Sequence, residues 1–187
     1  MPSDLQWIHR TCRLAQQADS VDGRCNTPHK TPRPNDPRPQ HEIDGNGNTP
    51  PVKLAPWQQA VSDDPSRFKC ISAGRRSGKT YLAIRELCWY AHQPNKNVFY
   101  VTSSYRAAKM IVWKPLKDQL LNLRWVKKIN ESELSITLKN NSVISLKGSE
   151  NIQALRGISL SYCVIDEAAF CDPDLFPEVI RPALADQ

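Results

Sequence analysis

A short apolar run, Lys69-Cys70-Ile71-Ser72, passes through Ala73-Gly74-Arg75-Arg76-Ser77-Gly78 into Lys79-Thr80 and then into a helical pattern over residues 81–91. The run reads as a strand. Leu82, Ala83, Leu87 and Tyr90 fall on or near one side of the helix. Pro94 and Asn95 end it. A strand, a glycine-bearing turn and a helix in that order build a cradle for phosphate. Backbone N–H groups of the turn and of the helix start point inward, and the helix dipole adds positive potential at the same place. Lys79 is placed to reach the β- and γ-phosphates of ATP or GTP, and the Thr80 hydroxyl to hold Mg2+. The usual pattern, G-x-x-x-x-G-K-[ST], lacks its first glycine: Ala73 stands there, and Gly74 follows as the candidate for the tight turn. The plainer reading is a surface turn between a strand and a helix.

A cradle of this kind needs a carboxylate across the site to complete the shell of a Mg2+ ion. Ser161-Tyr162-Cys163-Val164-Ile165-Asp166-Glu167-Ala168-Ala169-Phe170 supplies one. The apolar run 162–165 suits a parallel strand covered on both faces, which places Asp166 at its carboxyl end. Open α/β sheets bind ligands at that edge. Asp166 would hold the metal through water, and Glu167 would orient and deprotonate the attacking water. The alternative is an exposed acidic pair that caps a following helix, since both residue types favour helix starts. Lys79 and Asp166 together favour the first reading, because order and context agree.

These residues resemble a known family. Gly74-Arg75-Arg76-Ser77-Gly78-Lys79-Thr80, then Leu155-Arg156-Gly157, then Val164-Ile165-Asp166-Glu167-Ala168-Ala169-Phe170, is similar to the ATPase domain of phage terminase large subunits, the motors that package viral DNA into procapsids. The resemblance runs from about Leu54 to the end of the chain. It implies a P-loop NTPase of the additional-strand class: an α/β fold with a mostly parallel sheet flanked by helices. It implies ATP and Mg2+ as ligands. Gly74, Arg75, Ser77, Gly78, Lys79 and Thr80 would cradle the phosphates, Thr80 and Asp166 would serve the metal, and Glu167 would be the catalytic base. Arg76 and Arg156 would supply charge at the transition state, within one subunit or across two. The family's upstream adenine-reading motif matches Pro56-Trp57-Gln58, with the Gln58 amide on the base edge and Trp57 as an aromatic face. An ordinary helix start after Pro56 is the alternative. Implied partners are double-stranded DNA, a portal, a small terminase subunit and further copies of the chain, in the bacterial host cytoplasm.

The chain has 187 residues, enough for one domain of moderate size. No long apolar run suggests a membrane span, and no secretory signal is visible. The six cysteines show no tight paired spacing, which suits a reducing compartment, and Cys70 and Cys163 read as small core residues of the two strands. Residues 1–51 are rich in Pro, Asn, Asp and Gln, and 31–39 can form neither helix nor inner strand. They read as disordered, with a short helix over 5–18. Cys12, Cys25, His29 and His41 fit no standard zinc spacing. By the resemblance, residues 52–187 would form a P-loop ATPase domain, truncated at its C-terminal end. Within it, 97–102 reads as a buried strand and 105–121 as a helix with a kink or break at Pro115. Residues 133–138 and 143–147 flank Lys139-Asn140-Asn141-Ser142 as a hairpin. A short helix over 152–155 precedes the Asp166 strand, and a last helix spans 176–185.

The formal net charge is +6, and Lys114, Lys117, Arg124, Lys127 and Lys128 form a basic stretch. Such groups release counterions from DNA; a solvated helix face accounts for them equally well. The resemblance also implies one further strand, later in sequence, between the strand before Gly74 and the Asp166 strand, and a nuclease domain beyond it. Neither is seen before Gln187. The expectation is a terminase fragment whose isolated chain hydrolyses ATP poorly or not at all. Two other readings stand beside a packaging motor: a helicase-like DNA-dependent ATPase, and a nucleotide-binding remnant that hydrolyses nothing.

Overall fold

The computed structural model describes residues 54–185. The expected disorder over 1–51, the helix over 5–18 and the Cys12, Cys25, His29 and His41 group lie outside the described residues. The described residues fall into two units that part between Ser72 and Ala73.

The first unit carries helix α1, Pro56–Asp63, with Pro56 in its first turn, where the missing N–H costs nothing. Gln58 is buried, and its Oε1 accepts the Ala55 N–H at 2.9 Å, satisfying one of the orphan donors of the helix start. At the other end the Lys69 ammonium donates to the Val61 carbonyl at 2.7 Å. The strand expected over residues 69–72 does not form. Cys70 is exposed and Ile71 is 41 % exposed, so Cys70 is not a core residue. The segment has β-forming residues, but a strand is only as stable as the ladder beside it, and this segment has none.

The second unit is built on a five-stranded sheet in the order β2-β3-β4-β1-β5. The strands are β1 Asn97–Thr102, β2 Val126–Asn130, β3 Ser135–Leu138, β4 Val143–Gly148 and β5 Tyr162–Ile165. β1 pairs parallel with β4 on one side and with β5 on the other. β2, β3 and β4 form an antiparallel meander. The sheet is therefore mixed, parallel where the long connections enter and antiparallel where short turns suffice. The β3–β4 turn is the expected hairpin, with Asn141 at φ 64°, a conformation asparagine tolerates.

Helix α2, Lys79–His92, covers one face of the sheet. Ala83, Leu87 and Ala91 recur every four residues along its buried side, with Leu82, Ile84 and Cys88 beside them. All of these but Leu82 share an apolar cluster with Val98 and Tyr100 of β1 and Ile144 and Leu146 of β4. The opposite face, carrying Phe99, Val101, Cys163 and Ile165, is covered by Leu155, Leu160, Leu175, Val179 and Ile180. These come from the 3-10 turn Ser149–Leu155, the segment after it, and the π turn Leu175–Ile180, which α3 Arg181–Ala183 extends. Each fully buried Leu or Ile contributes about 1.5–3 kcal/mol by leaving water.

The helical stretch after β1 is continuous from Tyr105–Ala108 through a π segment, Lys109–Trp113, into Lys114–Asn122. Pro115 lacks the N–H that an α-helix needs there, and its ring crowds the preceding turn. The wider π turns just before it relieve that conflict, so the helix neither breaks nor ends.

Candidate nucleotide site

α2 reaches β1 through the short connection 93–96 and packs on β1 and β5, so it runs antiparallel to both. Two contacts fix its far end. Asn140, in the β3–β4 turn, donates to the carbonyls of Ala91, His92 and Gln93 at 2.9, 2.8 and 3.2 Å. The Tyr90 ring stacks on Tyr162, the first residue of β5, with centroids 3.8 Å apart. From Tyr90 back to Lys79 the helix rises about 16 Å. From Tyr162 to Asp166 the strand advances about 13 Å. The start of α2 and the end of β5 therefore share the carboxyl edge of the parallel strands, where open α/β sheets take their ligands.

The loop at the start of α2 is tightly wound. Gly78 has φ 93°, a left-handed geometry that glycine takes without strain, and Arg76 is left-handed at φ 58°. No side chain caps α2, so the first N–H groups of the helix remain as donors for an anion. The Lys79 ammonium donates to the carbonyls of Ala73 at 2.7 Å and Gly74 at 2.9 Å. The lysine thus staples its own loop with two of its three N–H donors. Among the described residues, the buried side-chain polar atom with no hydrogen-bond partner is the Ser77 hydroxyl, in the loop itself. A buried hydroxyl without a partner costs free energy that a ligand oxygen would recover.

Across the edge, Asp166 follows Val164 on the α2 side of β5. Its N–H still belongs to the ladder, donating to the Val101 carbonyl at 2.8 Å. Its Oδ2 accepts the Tyr100 hydroxyl at 2.5 Å and its Oδ1 accepts the Glu167 N–H at 2.9 Å. Glu167 sits at φ 52°, ψ 44°, which turns the chain sharply off the strand and leaves its side chain exposed. Non-glycine residues in that region cluster at functional sites. Tyr100 is 1 % exposed. Burial, reinforced by the bond to Asp166, pushes its phenol well above the ordinary tyrosine range, so it remains a donor. Sequence reading missed Tyr100. The signal was present, since a tyrosine inside an otherwise apolar buried strand needs a partner for its hydroxyl.

The other expected site residues are placed as follows. Arg75 and Arg76 are exposed in the turn after Gly74. Arg156 pairs with Glu178 at 2.9 Å. It follows Leu155, which packs on the face of the sheet opposite α2, so the chain does not bring Arg156 to the Lys79 side. Trp57 and Gln58 belong to the first unit, on α1. The basic stretch divides among three elements: Lys114 and Lys117 on the Lys114–Asn122 helix, Arg124 in the turn, Lys127 and Lys128 on β2. It is not one helix face. Lys114 meets Asp118 at 3.4 Å and Lys117 meets Glu131 at 2.6 Å.

Of the two residues expected to serve a metal, Asp166 ends β5 and Thr80 is the second residue of α2, and both offer oxygen. That suits a hard cation such as Mg2+, which keeps several waters and takes few protein ligands. Among the described residues no cluster of three His, Cys, Asp or Glu side chains offers an alternative metal centre. No described helix is long and apolar enough to cross a membrane.

The chain is similar to known proteins. The terminase large subunit of Escherichia phage T5 is 27% identical over 128 residues, covering 67% of this chain and 29% of that protein, so the chain spans less than a third of its relative. Among solved structures, the Thermus phage P74-26 large terminase ATPase domain superposes with a TM-score of 0.65 at 20% identity, covering 72% of this chain and 61% of that one. The large terminase of a thermophilic bacteriophage, solved in complex with ADP, gives 0.51 at 21% identity, covering 62% and 29%. These likenesses establish the fold. The family model described as terminase large subunit, T4likevirus-type, N-terminal, matches residues 70–186. The chain therefore belongs to the terminase large subunit family, in its N-terminal region.

Proposed function

We propose that this chain binds ATP with Mg2+ and that, as part of a terminase large subunit, its hydrolysis drives packaging of double-stranded viral DNA. One observation carries the reading: the lysine-headed helix α2 and the aspartate-ended strand β5 reach the same edge of one sheet. In this reading Gly74, Arg75, Ser77, Gly78, Lys79 and Thr80 hold the phosphates, and Thr80 and Asp166 serve Mg2+, which neutralises charge on the phosphates when bound. Glu167 orients and deprotonates the water, and Arg76 supplies positive charge from the loop. Arg156, on the other face, fits a role across a subunit boundary in a homo-oligomer. Portal, small subunit and DNA are the partners the family membership supports.

A second reading is favoured by two features. β5 is the outer strand of the sheet, and residues 69–72 lie outside any strand. A lysine loop that is not anchored by a paired strand holds its phosphates less rigidly, and positioning dominates phosphoryl transfer. Turnover by this chain alone is therefore expected to be slow, and a purely nucleotide-binding role would show none. Glu167→Gln separates the two. A hydrolase keeps MgATP binding and loses its turnover; a binding module has no turnover to lose. Absence of MgATP binding in the unaltered protein would overturn both.

A further inference from the structure

We infer that Tyr100 is the positioning residue for Asp166, holding the carboxylate in the orientation that serves the metal. The inference rests on the nucleotide reading above and adds a residue to it. Tyr100 lies opposite Val164 in the parallel register of β1 and β5, and Asp166 is two residues further along the same face. A diagonal neighbour of that kind is beyond the reach of short side chains but within reach of an aromatic one. The Tyr100 hydroxyl meets Asp166 Oδ2 at 2.5 Å, while the Glu167 N–H takes Oδ1. Both oxygens are thus held from the protein side, and each keeps a lone pair for a ligand. The ring is buried, opposite Leu146 in the β1–β4 register, in the apolar cluster that also holds Val98, Leu87 and Cys88, and such packing restricts it. A ligand carboxylate fixed by a packed outer neighbour is a common means of tuning metal affinity. Phenylalanine would pack equally well and hold nothing.

The test uses the full 187-residue chain and a fluorescent ATP analogue, titrated first in EDTA and then with increasing Mg2+. For Tyr100→Phe, the expected result is unchanged binding without metal and an apparent Mg2+ constant about tenfold weaker. Placed in an Asp166→Asn background, the same substitution is expected to have no further effect on the Mg2+ response, because Tyr100 acts through Asp166. An unchanged Mg2+ constant would overturn the inference, as would equal losses with and without metal, which mark a role in packing alone. If the phenylalanine variant does not fold, Tyr100→Leu, which also lacks the hydroxyl, is read the same way. Wild-type protein that binds no nucleotide in either condition would remove the nucleotide reading itself, and this inference with it.

Discussion

At the scale of residues, environment separates groups that share a chemical type. Cys88 lies on the buried side of α2, and burial pushes its thiol up to about 12. A raised pKa keeps the thiol protonated, so little of it is the reactive thiolate at pH 8. Cys70 is exposed. Iodoacetamide at pH 8 is expected to label the Cys70 peptide at least tenfold faster than the Cys88 peptide, read by mass spectrometry. Comparable rates in the native protein would contradict the packing of α2. The same contrast explains what could be read from sequence at the site. Lys79, Thr80 and Asp166 stand in local patterns whose chemistry follows from neighbours along the chain. Tyr100 bonds across a strand pair to a residue 66 positions away, and the sequence signals only that its hydroxyl needs a partner, not which one. Gln58 shows the converse. Its place in the sequence motif predicts an adenine contact, whereas in the structure it is buried and its oxygen closes the start of its own helix.

At the scale of elements, α2 was legible because its apolar period and its proline stop are written in consecutive residues. Its anchor was not. Asn140 sits in a hairpin turn whose asparagines announce only backbone tolerance, yet its side chain also takes the last three carbonyls of α2 and its end. Asn140→Ala leaves those groups without their donor and is expected to cost about 1–3 kcal/mol, measured by urea unfolding. A loss below about 0.5 kcal/mol would show that water replaces the contact. β2 escaped notice for a different reason. Val126-Lys127-Lys128-Ile129-Asn130 has too few alternations to announce a strand, and its lysines stand out as charge. On an edge strand they also discourage pairing with another sheet. Residues 69–72 mislead in the other direction. Their composition favours a strand, and composition does not supply a neighbour to pair with.

At the scale of the whole molecule, the topology brings two distant motifs to one edge. α2 must return along the sheet because the connection to β1 is short, and β5 must run parallel to β1 because the chain crosses the far face before entering it. Lys79, at the start of α2, and Asp166, at the end of β5, then lie at the same carboxyl edge of the sheet, although their segments are far apart in sequence. The order of the two motifs was enough to expect this. The mixed sheet was only partly legible, because an antiparallel meander inserted between α2 and β5 changes strand order without changing either motif. Calorimetric titration with MgATP tests the convergence most directly. The unaltered protein is expected to give a saturable binding heat, and Lys79→Ala none. Binding of equal strength by Lys79→Ala, or no heat with the unaltered protein, would contradict the account.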